Sequence, residues 1–454
     1  MRAVPALVGA LMMAACTPTG GVEVQPSPSE DPERPNVLVV VTDDMRPDGL
    51  NAMPFTVRWL VEGGRTHTNA YATTPLCCPS RASIFTGRYA HNHGVLKNHD
   101  SHDLDTEQTV MAYLQAKTDY RTALVGKYLN SWAVDEDPPH FDRWASYSGR
   151  YYGKPFNING TATPTTDYST HHMAERSEQF LTRFERSDDQ PWFLYVATVA
   201  PHAPFTVAPE HRARDVPVLR RGTAPAPSLR ERNLSDKPDL PSRPFSLERT
   251  RQLRKKQWRT LLSVDDMMRK LKKALVRLDE EEDTMVIFTS DQGILQGEHG
   301  LFAKRLPYTE SIQVPMLMRW PGHVEQSTDD RLVANVDIAP TIMDVAGVEP
   351  DVPFDGTSLM SDEERSVLFI EQLENWRVGL ADWRSVRTDD IQYVEYYSRA
   401  GELIEREFYD LQKDPFQLRN FFGDENASND PAIDEFASQI SEFSTCKGRE
   451  CLGP

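Results

Sequence analysis

Four apolar, strand-like runs of this sequence are each followed within a few residues by groups able to do chemistry. Residues 37–42 (VLVVVT) lead to Asp43 and Asp44, and 121–125 (RTALV) lead to Gly126 and Lys127. Residues 192–198 (WFLYVAT) lead to Pro201-His202-Ala203-Pro204, and 284–289 (TMVIFT) to Ser290-Asp291-Gln292-Gly293. Carboxylates after two strands, with the Gln292 amide beside one of them, form the oxygen-donor set that a hard divalent cation takes. Lys127 adds fixed positive charge, and His202 adds a proton carrier. In an open α/β sheet ligands bind beyond the carboxyl ends of the strands, so these four ends would deliver the groups to one rim. Taken singly, an Asp-Asp pair is more often a turn or a helix cap, and a lone histidine more often packs or faces solvent. The joint placement carries the reading.

A fifth segment is more specific. Pro75-Leu76-Cys77-Cys78-Pro79-Ser80-Arg81 begins with turn chemistry, and Pro79 favours an early helical position, so a helix is expected from about residue 79. Cys77 would then sit at its N-terminus, where unpaired N–H groups and the helix dipole favour negative charge. Two readings follow: a low-pKa nucleophilic cysteine, or two buried cysteines, Cys77 and Cys78, in an apolar turn.

The elements that must position these residues can be read from periodicity. Helical patterns at 53–62, 107–116, 173–186, 247–278 and 337–345 alternate with the four strands and a fifth at 314–319. This predicts an α/β fold with a large, mostly parallel sheet covered by helices on both faces. From about residue 363 the runs shorten and partly alternate, at 366–371, 383–388, 391–397 and 405–411, which predicts a smaller antiparallel sheet. The expected division is a signal peptide at 1–15, a tether at 16–35, a catalytic α/β domain at 36–362 and a C-terminal α+β subdomain at 363–454.

Composition bounds the rest. The chain has 454 residues, 39% hydrophobic and 26% charged, as in a folded globular protein and unlike a disordered tail or a membrane bundle. A net charge of −18 argues against general nucleic-acid binding. Yet residues 211–273 carry 18 Lys/Arg against 7 Asp/Glu, either a solvated surface or a guide for a polyanion. Met1 and Arg2 precede an apolar run ending Met13-Ala14-Ala15-Cys16, too short to span a hydrocarbon core of about 30 Å. It reads as a secretory leader. Its end resembles a bacterial lipoprotein cleavage site, with Cys16 lipidated, the membrane reached only through that anchor and the protein extracytoplasmic. Secretion after a cut near Ala15 is the alternative. Cys446 and Cys451 would form a disulfide in an oxidising compartment, two free thiols being the alternative.

The segment Cys77-Cys78-Pro79-Ser80-Arg81-Ala82-Ser83-Ile84-Phe85-Thr86-Gly87 matches in full the sulfatase signature C-x-P-S-R-x-x-x-x-T-G. The chain resembles the formylglycine-dependent sulfatases, which belong to the alkaline phosphatase superfamily. Among them it is most similar to the N-acetylglucosamine-6-sulfatase group. That closer likeness rests on Tyr89-Ala90-His91-Asn92-His93, Gly126-Lys127-Tyr128-Leu129-Asn130, Leu261-Leu262-Ser263-Val264-Asp265-Asp266 and the tail Cys446-Lys447-Gly448-Arg449-Glu450-Cys451.

The resemblance implies an alkaline-phosphatase-like fold and oxidation of Cys77 to Cα-formylglycine (3-oxoalanine) by a formylglycine-generating enzyme. It implies that Asp43, Asp44, Asp291 and Gln292, with the modified Cys77, hold Ca²⁺, Mg²⁺ being the alternative. Arg81 and Lys127 would orient and neutralise the formylglycine and the sulfate, Lys304 would contact a sulfate oxygen, and His202 would face the leaving group. The hydrated aldehyde would attack sulfur, and the substrate would be a sulfated saccharide such as N-acetylglucosamine-6-sulfate. A formylglycine-dependent phosphonate monoester or phosphodiester hydrolase is the alternative. A glycan binder without activity would not require the intact set of Cys77, Arg81, Lys127, His202 and Asp291. Two positions depart from the common pattern: Gln292 stands where many sulfatases have Asn, and Leu129 where many have His.

Overall fold

Strand β1 (Asn36–Thr42) is apolar at nearly every position because both of its faces are covered. Leu38 and Val40 point into one core with Met173, Phe180, Leu261 and Met268; Val37, Val39 and Val41 point into another with Ile84, Phe85, Met111 and Ile342. That alternation is the period-two geometry of a strand, here with an apolar layer on each side. The computed structural model describes Met1 and residues 34–186, 190–219, 226–240, 242, 246–422 and 426–453. The leader, Cys16 and the tether up to residue 33 lie outside the described residues. Residues 34–454 form one compact unit. No helix among the described residues is long and apolar enough to cross a membrane.

In chain order the remaining strands are β2 (Arg65–His67), β3 (Ala70–Tyr71), β4 (Arg121–Gly126), β5 (Arg143–Ser146), β6 (Phe156–Ile158), β7 (Thr161–Thr163) and β8 (Trp192–Ala197). They continue with β9 (Thr284–Ser290), β10 (Met316–Arg319), β11 (Ser327–Asp329), β12 (Val333–Ala334) and, in the C-terminal part, β13 (Leu368–Gln372), β14 (Asp382–Arg387), β15 (Ile391–Tyr397) and β16 (Leu403–Asp410). Ten of them form one sheet in the order β11-β2-β10-β9-β1-β8-β4-β5-β6-β7. The centre from β9 to β5 is parallel, as expected. Both margins bring antiparallel pairs, β10 against β9 and β2 on one side, β6 against β5 and β7 on the other. The marginal strands β2, β5, β6, β7 and β11 are three or four residues long, too short and polar for periodicity to reveal them.

The helices follow their sequence signals closely. The helix Leu247–Leu278 has the expected bounds; the Ser246 hydroxyl accepts from the Arg249 N–H at 3.1 Å, and Asp279 ends it in the left-handed region. The helix Cys77–Thr86 starts two residues before the expected position, so Cys77 is its first residue. Pro79 still fits, because the N–H groups of the first turn have no partner within the helix. At its other end Gly87 adopts φ +63°, and a Cβ there would come within 2.6 Å of the Phe354 ring.

The four C-terminal strands form an antiparallel sheet in sequential order, as expected from the alternation. It is fastened to the segment after the signature helix. Asp355 accepts from the Tyr89 N–H, the Asn92 amide and the Gly448 N–H, each at 2.8 Å, and His91 Nδ1 lies 2.8 Å from Glu371. Cys446 and Cys451 form the expected disulfide, with Cα atoms 5.2 Å apart.

Two buried histidines make this fold acid-sensitive. His93 accepts from the Val95 N–H through Nδ1 and lies 3.1 Å from Ser83 Oγ through Nε2; burial pushes its pKa down to about 3. Burial likewise pushes His67 down to about 4, against the opposing pull of Asp329. Both folded values lie below the ordinary histidine value, so the unfolded chain takes up protons first on acidification. Stability is therefore expected to be full above neutral pH and to fall as pH drops below about 6.5, by about 1.4 kcal/mol per pH unit for each histidine. Denaturant unfolding at pH 7.5 and pH 5 checks this; a His93→Gln protein with an unchanged acid slope would contradict it.

Candidate functional site

Parallel pairing in register sets the site. Thr42 faces Ser290 across β1 and β9, so Asp43-Asp44 and Asp291-Gln292 leave adjacent strands side by side. The turn is held by the Asp291 N–H on the Thr42 carbonyl (3.0 Å), the Asp44 N–H on Asp291 Oδ1 (3.1 Å) and the Met45 N–H on Ser290 Oγ (2.9 Å). Asp44 takes a positive φ of 64° to bring both carboxylates inward. The signature helix then points its first residue at this edge. Cys77 Sγ lies 2.9 Å from Lys304 Nζ, 3.3 Å from Gln292 Nε2 and 3.6 Å from Asp43 Oδ1.

The other expected residues surround the same point. Lys127 Nζ is 2.5 Å from Asp43 Oδ2, and Lys304 Nζ is 2.8 Å from Asp44 Oδ1. Arg81 places Nε and a terminal nitrogen each 2.9 Å from Asp291 Oδ2 and donates to the Lys127 carbonyl at 3.2 Å. His202 Nε2 is 3.6 Å from Asp44 Oδ2, while its Nδ1 lies 2.7 Å from the Ala203 carbonyl. All nine residues singled out from the sequence thus gather in one place.

Burial makes the charge balance matter. It opposes ionisation of Asp43, but Lys127, His202, Arg81 and Lys304 outweigh it and hold that carboxyl well below the usual range. Burial also opposes the charges of Arg81, Lys127 and Lys304, yet the facing carboxylates keep all three firmly protonated. Asp291 is pushed up, by burial and by Asp43. The Cys77 thiol is pushed up to about 11, first by burial and then by Asp43, despite Lys127 and Lys304. Of the two readings of this segment, the structure supports the buried cysteines over the low-pKa nucleophile, because desolvation and a neighbouring carboxylate exceed the dipole. Burial drives Cys78 higher still, to about 12, and it packs in the apolar core.

The donor set fits a hard cation. Ligand atoms of Asp43, Cys77 and Asp291 lie within 4.8 Å of one another, as do those of Asp43, Asp44 and His202. Gln292 reaches the same centre despite its extra methylene, donating Nε2 to Asp44 and Cys77. Its Oε1 is buried with no hydrogen-bond partner among the described residues, a position that a bound cation would satisfy.

Four supporting residues, Glu298, Arg46, Arg254 and Gln257, were not legible beforehand. Glu298 is buried between Arg46 (2.7 Å) and Arg254 and accepts from the Gln296 N–H at 2.7 Å, which fixes the loop that leads to Lys304. Gln257, one turn along from Arg254, donates to the Asp44 carbonyl at 3.2 Å. The available signal was the inward register of Arg254 with Trp258 and Leu261 on an amphipathic helix. This also qualifies the basic segment at 211–273. Arg254 is interior, and Lys237, Arg269, Lys270 and Lys272 face acidic side chains, so part of this charge is structural. Glu298→Ala would leave the buried Arg254 guanidinium without its carboxylate and Arg46 with Asp48 alone, and a loss of about 3–5 kcal/mol is expected. Chemical denaturation measures it, and a loss under 1 kcal/mol would show that the cluster does not hold the loop.

The sulfatase family matches residues 35–348, and the N-sulphoglucosamine sulphohydrolase C-terminal family matches residues 297–444. N-acetylglucosamine-6-sulfatase of Homo sapiens is 34% identical over 354 residues, 72% of this chain, and the match spans 64% of the human protein's length. N-acetylglucosamine-6-O-sulfatase of Bacteroides thetaiotaomicron is 27% identical over 87% of this chain and 84% of its own. A solved structure holding its substrate D-glucosamine-2-N,6-O-disulfate superposes with a TM-score of 0.74 at 25% identity, over 90% of this chain and 97% of that one. With a complete C-x-P-S-R-x-x-x-x-T-G segment at the centre of the site and a family match over most of its length, the chain belongs to the sulfatase family.

Proposed function

We propose that this protein is a sulfuric ester hydrolase that removes sulfate from a sulfated saccharide, with a 6-sulfated glucosamine as its preferred unit. The observation that carries the reading is the convergence on Cys77 of Lys304, Gln292 and Asp43 within 3.6 Å, backed by Arg81 and Lys127. The saccharide preference draws on the printed activities of the human and Bacteroides relatives. Residues 36–362 would form the catalytic domain and 363–454 a subdomain. The disulfide suits an extracytoplasmic location, with a lipid anchor at Cys16 or simple secretion.

Position 77 is a thiol in this structure. Oxidised to Cα-formylglycine and hydrated, it would supply the nucleophilic hydroxyl. Asp43, Asp44, Asp291 and Gln292 would hold Ca²⁺, or Mg²⁺, whose charge would polarise sulfuryl oxygens. The rest follows from side chains in view. Arg81 is locked by Asp291 and the Lys127 carbonyl, so its charge needs no rearrangement as negative charge builds on the sulfuryl group. Lys127 and Lys304 flank residue 77 from opposite carboxylates, Asp43 and Asp44, and orient the sulfate between them. His202 donates its Nδ1 hydrogen to the Ala203 carbonyl, so Nε2 faces the site beside Asp44; as the imidazolium it would pass its Nε2 proton to the departing alcohol and be left neutral.

Peptide mass spectrometry of active protein, made in a host with a formylglycine-generating enzyme, is expected to show the aldehyde at residue 77. Full activity with only the thiol present would end the proposal. Faster turnover of a phosphodiester than of an aryl sulfate would point to the phosphorus-directed alternative instead. His202→Ala is expected to lower kcat on a sugar sulfate by about 10²–10⁴. The loss should be far smaller on an aryl sulfate, whose phenolate leaves without a proton, and equal losses on both would remove His202 from the acid role.

A further inference from the structure

Beside Lys304 opens a cavity of about 570 Å³, lined by Asp239, Ala303, Lys304, Arg305, Val378, Gly379 and Leu380. Lys304 reaches from this wall to Cys77. Arg305, the next residue, is pinned through its main chain on two sides: its N–H donates to the Pro75 carbonyl at 3.1 Å, and its own carbonyl accepts from Trp383 Nε1 at 2.8 Å. It holds φ at +75°, a left-handed conformation that a non-glycine residue keeps only where its surroundings impose it. The loop before the nucleophile and the C-terminal sheet thus fix where this residue stands.

Its side chain is free by comparison. The guanidinium makes no ion pair or hydrogen bond with any described residue, whereas the buried arginines nearby, Arg46, Arg81 and Arg254, all face carboxylates. Asp239, the one acid lining the cavity, is exposed and forms no ion pair with it. A half-buried guanidinium without an anion has lost part of its hydration with nothing in return, and its planar fork suits an oxyanion.

We propose that Arg305 binds a second oxyanion of the substrate, a sulfate or a carboxylate on the same or the adjoining sugar, so that the site selects multiply charged saccharides. This rests on the reading of the site as a sulfate-ester hydrolase. Lys304 takes the ester to be cleaved, and Arg305, one residue along the same wall, takes the neighbouring charge.

Calorimetric binding in calcium buffer to a Cys77→Ala protein, which cannot turn over, tests it. The probes are N-acetylglucosamine-6-sulfate, glucosamine-2-N,6-O-disulfate and a uronate-linked N-acetylglucosamine-6-sulfate. The disulfate or the uronate disaccharide is expected to bind about 10- to 100-fold tighter than the single sulfate, the source of the second charge being whichever of the two shows the gain. That preference should collapse towards unity in Cys77→Ala/Arg305→Ala and return in part with Arg305→Lys. No preference in the parent, or one that survives Arg305→Ala, overturns the proposal. Sulfate release by the unmutated enzyme from the single sulfate is scored separately, so failure of the activity and failure of Arg305 are distinguishable.

Discussion

Three carboxylates, Asp43, Asp44 and Asp291, lie buried against three cations, Arg81, Lys127 and Lys304, and the architecture of the site depends on that balance. Removing any one member would leave a charge in a region of low dielectric with no water to replace its partner. The arrangement explains why the segments bearing these groups are so tightly fixed. It also explains why Cys77, surrounded by formal charges of both signs, is governed by burial and by Asp43 rather than by the helix beneath it.

The surrounding fold supplies that rigidity in layers. Parallel pairing of β1 and β9 sets the two acidic turns side by side, and the signature helix, with all ten residues buried, cannot shift without disturbing a core. Glu298 ties the Lys304 loop to the long helix and to Arg46. Farther out, the buried Glu407 accepts from the hydroxyls of Tyr308, Tyr396 and Tyr409 at 2.6–2.9 Å, joining the C-terminal sheet to the segment just beyond Arg305. The C-terminal strands therefore act on the site through the backbone they brace.

Much of this was legible because it is local. The helix 247–278 carried a long helical pattern, and the structure has the same bounds. The central strands announced themselves as short apolar runs, and the residues at their ends were found because open sheets present ligands there. The start of the signature helix was misplaced by two residues, since Pro79 is tolerated throughout a first turn and marks no single position within it. The marginal strands escaped notice because three polar residues carry no periodicity; they form only where a neighbouring backbone edge is available.

The sequence by itself determined which chemical groups are present, which share a helix or a strand end, and hence the family. Tertiary structure alone decided their electrostatic state. Arg81 meets Asp291 across 210 residues, Glu298 meets Arg46 across 252, and the cavity beside Arg305 joins residues 239, 305 and 380. Charge–charge energies and desolvation depend on distances of a few ångströms and on the exclusion of water, and separation along the chain encodes neither. For that reason the thiol at position 77 could be recognised from its motif, but not its raised pKa, and Arg305 could be seen in the sequence, but not its lack of a partner among the described residues.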